Sequence, residues 1–362
     1  MSGTDVPYQF DAPNTPTDRP NPRLDPDAAC AMQMSNTTRA PMNLLIVLDR
    51  SGSMGDCANG SGRPCADSKW VAAQQGITRL LTRLEDEARV GLMFFPAPSN
   101  GGSADGYRTP HVPIAPLSMN RAALQARVNG TSPSGNTPMA CAMPAAVEYM
   151  RSMFNMNGSR NIMLITDGVP TDECSGETCI PGFDINAFIA CQMRAEMLAK
   201  GQILGMVRRG ANSMPAVRTY ALGTPDGDPN FLSTVAVNGN TQRAAGCEPS
   251  DCHYSLGNAS FLTDLNRALD AVRDRAATCE FMLEVDPNMA DPGLINVYVT
   301  PAGGGEGRFV PRDPMHRDGW DYTNMGRSIE FFGPLCDSIR MGGAMGAGTV
   351  RIIYGCPTIM PG

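Results

Sequence analysis

The sequence predicts an α/β fold: a doubly wound, mostly parallel sheet with helices on both faces, followed by a small all-β carboxyl-terminal appendage. Three observations carry this. Strand-like and helix-like segments alternate from Pro41 to about residue 277, the pattern of a wound parallel sheet. The first of them, Asn43-Leu-Leu-Ile-Val-Leu-Asp49, holds five apolar residues in a row, which a central strand covered on both faces requires. From Phe281 onward the pattern changes to short β-type runs separated by Gly and Pro turns. The expected organisation is a Pro/Asp-rich linker or stalk over 1–41, the α/β domain over 42–280 and a β-rich extension over 281–362.

Residues 1 to about 29 carry six prolines and five aspartates with almost no apolar periodicity, and such a segment buries too little surface to offset its chain entropy. Strand 43–49 then feeds a helix from about Ser68 to Leu84, where Trp70, Val71, Ile77, Leu80, Leu81 and Leu84 recur at helical spacing. Strands 89–95 and 111–117 are joined by a Ser/Asn/Gly loop and read as a hairpin. A short helix over Arg121–Val128 precedes a Ser-Gly-Asn-Thr-Pro turn, and the next helix runs over Met139–Phe154. Strand 161–166, a helix over Asn186–Lys200, strand 217–222, a helix near 230–237 and a short strand near 253–256 continue the alternation. A helix over 260–277 closes the unit, its buried stripe formed by Phe261, Leu262, Leu265, Leu269 and Val272. The later β runs are Phe281–Val285, Ile295–Thr300, Gly319–Tyr322, Ser328–Phe332 and Thr349–Tyr354, with the Gly/Met run 341–348 as a hairpin tip.

Composition narrows the function classes. Of 362 residues 42% are hydrophobic, enough for a real core. Lys plus Arg number 29 against 36 for Asp plus Glu, and the basic residues form no block, so nucleic acid is not an expected partner. No apolar run approaches the ~20 residues a membrane helix needs. Met1 is followed by polar residues, so export would need a signal or anchor segment outside this chain.

Twelve cysteines against three histidines argue for an oxidising compartment: extracellular, cell-surface or periplasmic. Spacing pairs Cys57 with Cys65, Cys174 with Cys179, and Cys247 with Cys252. Cys336 with Cys356, Cys30 with Cys279, and Cys141 with Cys191 complete the expected set. Zinc at Cys247, Cys252 and His253 is the competing reading, and it lacks both knuckle spacing and a fourth ligand.

The chemistry concentrates where the first strand ends. Asp49, Ser51 and Ser53 recur at every second residue of an Asp-x-Ser-x-Ser turn, so their oxygens can converge on one point. A carboxylate with two neutral hydroxyls is a hard-oxygen set suited to Mg²⁺ or Mn²⁺. In a parallel sheet, functional groups gather past the carboxyl ends of the strands, and three inserts (55–67, 98–109 and 168–185) should emerge at that edge.

This motif resembles the metal-ion-dependent adhesion site of von Willebrand factor type A domains. Ser134-Gly135-Asn136-Thr137-Pro138 resembles the family's threonine loop, and Ile162-Met-Leu-Ile-Thr-Asp167-Gly168 its second strand with Asp-Gly. The resemblance implies hydroxyl oxygens from Ser51, Ser53 and Thr137, the last directly or through water. Asp49 and Asp167 would act largely through water, around Mg²⁺ (or Mn²⁺ or Ca²⁺), with one position left for a partner's Asp or Glu. It also implies a Rossmann-like sheet, and the later β runs resemble the extension of exported bacterial members.

The function expected is therefore a metal-dependent protein-binding or adhesion module and not an enzyme. One alternative is a structural subunit of a surface assembly that uses the metal site for self-association. A metal-assisted hydrolase ranks lower. Phosphatase chemistry of the haloacid-dehalogenase kind needs a second carboxylate where Ser51 stands, and His111, His253 and His316 are isolated.

Overall fold

The structure, a computed structural model, describes residues 33–36, 38–57, 67–99, 102–153, 156–180, 182, 184–257, 260–276, 279–283, 295–301, 307–323, 326, 328–341 and 347–354. Two short strands come first, β1 (Gln33–Asn36) and β2 (Thr38–Arg39). The α/β unit follows with β3 (Asn43–Asp49), α1 (Lys69–Arg83), β4 (Arg89–Phe95), β5 (Val112–Pro116), α2 (Leu117–Asn129) and α3 (Met139–Ser152). It continues with β6 (Arg160–Thr166), α4 (Ile185–Ala211), β7 (Val217–Gly223), α5 (Pro229–Asn238), β8 (Tyr254–Ser255) and α6 (Phe261–Ala276).

The strand order is β5-β4-β3-β6-β7-β8, parallel throughout except for β5, which runs antiparallel beside β4 as the expected hairpin. Burial follows the pleat. Leu44, Ile46 and Leu48 of β3 join one core with Trp70, Ile77 and Leu81 of α1 and Phe261, Leu265 and Leu269 of α6. Leu45 and Val47 point to the other face, into a core with Met139, Met143 and Val147 of α3, Ile203 and Val207 of α4, and Phe231 and Leu232 of α5. The chain leaves β3 toward β4 on one side and returns to β6 on the other, so β3 and β6 are neighbours at the point where the winding reverses. A crevice at such a point is where doubly wound sheets bind ligands.

The second β region holds β9 (Glu280–Met282), β10 (Ile295–Pro301), β11 (Arg308–Val310), β12 (Gly319–Thr323), β13 (Ser328–Phe332), α7 (Gly333–Met341) and β14 (Ala347–Tyr354). Its strands form two antiparallel sheets, β1-β14-β10-β11 and β12-β13-β9-β2. Val297, Val299, Val350 and Ile352 of one sheet share a core with Phe281, Trp320, Ile329 and Phe331 of the other.

Several expectations change here. Residues 33–36 and 38–39, which fall within the expected 1–41 linker, pair through their backbones with β14 and β9. α4 runs eleven residues past Lys200 to Ala211, because Ile203, Val207 and Ala211 still face the core while Gly201 and Gly205 lie on open surface. α7 was not foreseen. Cys141 pairs with Cys174, Cys179 with Cys191 and Cys279 with Cys336, so the expected pairings of these residues are corrected; Cys247–Cys252 is as expected. Cys65, Cys30 and Cys356 lie outside the described residues, as do Phe154, 284–285 and the 342–346 tip. Among the described residues, no helix is long and apolar enough to cross a membrane.

Candidate metal centre

The site is built at the carboxyl ends of β3 and β6. Asp49 is fully buried, and its Oδ1 accepts the Ser51 backbone N–H at 2.7 Å, which turns the chain out of the strand. A single 3₁₀ turn over Gly52–Gly55 follows, anchored by the buried Met54. This turn aims both serine hydroxyls inward: Ser51 Oγ lies 3.1 Å from Ser53 Oγ, and Ser53 Oγ donates to Asp167 Oδ1 at 2.8 Å.

Thr166 closes the set from below. It stands one residue beyond the Leu48–Ile165 register pair, and its hydroxyl donates to Asp49 Oδ2 at 2.6 Å. Thr137 arrives from the loop before α3. Its N–H donates to Thr171 Oγ1 at 3.1 Å, and the Thr171 N–H donates to Thr137 O at 3.0 Å. Thr137 Oγ1 lies against Gly168, where an added Cβ would sit only 3.3 Å away. The five residues read from the sequence are thus gathered in one place, four of them in a continuous hydrogen-bonded chain.

The threonine loop is held by its own Gly135 and by Arg50, Glu173 and Cys174, which sequence reasoning missed. Gly135, at φ +83°, gives its carbonyl to the Gly52 N–H at 2.9 Å, a backbone conformation that favours glycine. Arg50 reaches across from the turn: Nε donates to Ser132 O at 2.9 Å, Nη1 to Pro96 O at 3.2 Å and Nη2 to Ser134 Oγ at 2.5 Å. Glu173 accepts from Asn136 Nδ2 at 2.8 Å and from the Thr171 hydroxyl. The next residue, Cys174, is disulfide-bonded to Cys141 in the first turn of α3. That bond ties the loop after Asp167 to the helix that follows Thr137.

The largest omission is Lys69, the first residue of α1. Its ammonium is buried and donates to Asp167 Oδ2 at 2.7 Å. Thr166 had a legible signal, a polar residue ending an apolar strand. Lys69 had none, since a lysine opening a helix reads as solvent-facing.

Burial, and then the charge of Asp167, push the Asp49 carboxyl up to about 7. Two acids forced together with three hydroxyl oxygens and no thiolate or imidazole form a donor set that fits a hard divalent cation. Among the described residues, no three Asp, Glu, His or Cys side chains gather as a metal site. The zinc alternative is also closed by the Cys247–Cys252 disulfide and by His253, whose Nδ1 pairs with Ser233 Oγ at 2.9 Å. His111 accepts the Phe94 N–H, and His316 pairs with Asp321.

Residues 44–169, spanning both strand ends and the threonine loop, match the family model of the von Willebrand factor type A domain. Residues 44–169 carry a von Willebrand factor type A domain. No curated protein matches the chain. Solved structures similar to it include the pilus adhesin SpaC of Lactobacillus rhamnosus GG in its open conformation, with 14% identity over 88% of this chain and 39% of that one, at a TM-score of 0.45. A von Willebrand factor type A protein of Catenulispora acidiphila has 14% identity over 91% of this chain and 60% of that one, at 0.40. Manganese-loaded TRAP of Plasmodium vivax has 15% identity over 66% of this chain and 78% of that one, at 0.39. The chain spans less than half the length of the adhesin. The von Willebrand factor type A domain here differs from a bare oxygen site in carrying the Lys69 ammonium on Asp167.

Proposed function

We propose that this site holds a Mg²⁺-type ion through Ser51, Ser53 and Thr137, with Asp49 and Asp167 as its charge partners, and uses it to capture an Asp or Glu of a protein partner. The observation that carries this reading is the hydrogen-bonded chain of Asp49, Ser51, Ser53 and Asp167 at the reversal point of the sheet, with Thr137 facing Gly168 beside it. When bound, the ion supplies an electrophile that accepts a carboxylate oxygen. The chain's own residues do the rest. Thr166 and the Ser51 N–H orient Asp49, Arg50 fixes the threonine loop, and the Cys141–Cys174 bond limits movement between that loop and Asp167.

The protein is read as an exported or surface adhesion module, not an enzyme, with the β-rich region 281–362 as a separate structural part. Calorimetric titration of the full chain with Mg²⁺ tests the metal reading: saturable binding lost in Asp49→Ala, with the circular dichroism spectrum retained, is the expected result. Equal heats in the two proteins overturn it.

Self-association is a second reading, and one feature favours it. Ile185, Ile189, Met193 and Met197 lie exposed at four-residue spacing along α4, a stripe that a second copy of this chain would cover. Light scattering with and without Mg²⁺ checks it, and a monomer under both conditions rejects it.

A further inference from the structure

Lys69 occupies a position that general physical chemistry disfavours twice. It is the first residue of α1, where the helix dipole repels a cation, and its side chain is almost wholly buried, which lysine rarely tolerates without a partner. It is nevertheless held firmly. The Lys69 N–H donates to Asp56 O at 3.1 Å, a bridge between Cys57 and Ser68 closes the base of the 55–67 insert, and the Ser68 hydroxyl caps α1 by accepting the Val71 N–H at 3.2 Å. The result places the ammonium on Asp167 Oδ2 while Asp167 Oδ1 accepts from Ser53. One carboxylate therefore serves the hydroxyl chain and a fixed cation at once.

The Arg50 guanidinium is turned to the threonine loop and donates to carbonyl and hydroxyl oxygens, not to a carboxylate, so Lys69 is the cation paired with the site's aspartates. With both aspartates ionised, Lys69 cancels one of their two formal charges before any ion arrives. A divalent ion entering this set leaves one positive charge that nothing in the set offsets.

We infer that Lys69 is the residue that sets the electrophilicity of the site: its ammonium shares Asp167 with the metal, which weakens intrinsic metal affinity and leaves the loaded site cationic toward an incoming carboxylate. This rests on the metal reading proposed above. It deepens that reading by making metal retention depend on an acidic partner, because only an added anion completes the charge balance.

The test is Mg²⁺ titration of the full chain, without any partner, for wild type, Lys69→Met and Lys69→Arg. Methionine keeps the length and apolar body of the side chain without its charge. The expected result is that Lys69→Met binds Mg²⁺ at least ~10-fold more tightly than wild type, from loss of a unit charge on a shared carboxylate at an effective dielectric of about 20. Lys69→Arg should stay within about threefold of wild type, since its charge is kept. Unchanged or weaker binding in a folded Lys69→Met overturns the inference while the metal reading stands. Binding by Lys69→Met but not by wild type supports both, and binding by neither rejects the metal reading and this inference with it. Should Lys69→Met fail to fold, the ammonium NMR signal of Lys69 in the wild-type chain replaces it. A shift and faster hydrogen exchange on Mg²⁺ addition support the shared carboxylate, and an unmoved signal at saturating Mg²⁺ rejects it.

Discussion

Replacing Cys141 and Cys174 together by alanine removes a cross-brace placed where the site needs it. The bond spans 33 residues of sequence, from the first turn of α3 to the loop after Asp167. Closing a loop of that length in the unfolded chain corresponds to about 4 kcal/mol of stability, between the values for shorter and longer loops. For a domain of this size that lowers the thermal midpoint by roughly 7–15 °C. A local effect accompanies the global one. Glu173, next to Cys174, holds Asn136 and Thr171, and Thr171 holds Thr137. With the brace gone, the threonine loop and the Asp167 loop can part, so Mg²⁺ affinity should fall about tenfold, or about 1.4 kcal/mol. Thermal melts followed by circular dichroism, with Mg²⁺ calorimetry at a temperature where both proteins are folded, measure the two effects separately. A midpoint lowered by less than about 3 °C, or an unchanged Mg²⁺ affinity, would refute the brace as the element that holds the site together.

Three further outcomes follow from single residues. His111 is pushed down to about 4, first by burial and then by the charges of Arg127 and Arg50, and its Nδ1 accepts the Phe94 N–H at 3.1 Å. The unfolded chain therefore binds more protons here than the folded one between pH 6.5 and about 4, so this contribution to stability is complete above that window and lost as pH falls through it. Urea titrations at several pH values should show a shallower acid slope for His111→Gln than for wild type; equal slopes reject the assignment. Gly158→Ala should cost at least ~2 kcal/mol, because φ is +95° and an added Cβ would lie 1.8 Å from Pro41 O. Gly201→Ala in α4, where the Cβ meets nothing within 4 Å, should stabilise by about 0.5–1 kcal/mol; a cost there would contradict the helix running on past Lys200.

The parts legible in the sequence are those whose cause is local. Five apolar residues in β3 announced a strand buried on both faces, and alternate residues do divide between two cores. The Asp-x-Ser-x-Ser turn was readable from its spacing at the end of a buried strand, and the resemblance to the von Willebrand factor type A motif joined Thr137 and Asp167 to it. What stayed hidden depends on contacts distant in sequence. Short spacing between Cys174 and Cys179 concealed a bond to Cys141, which only the approach of α3 to the Asp167 loop makes feasible. The expected helix ended at Lys200, but packing of Ile203 and Val207 outweighs the low helix propensity of Gly201. The polar Gln33–Asn36 carries no alternation, since its pairing with β14 is made by backbone groups. Lys69 becomes a site residue only because the bridge between Cys57 and Ser68 sets the start of α1 beside Asp167.

If the oxygens at the ends of β3 and β6 share one divalent ion, a crystal of the full chain soaked in Mn²⁺ reveals it through the anomalous signal of the metal. The expected result is a peak bonded by Ser51 and Ser53, with Thr137, Asp49 and Asp167 around it. A site without a peak at saturating Mn²⁺, with the Lys69 ammonium still the only cation on Asp167, would contradict it.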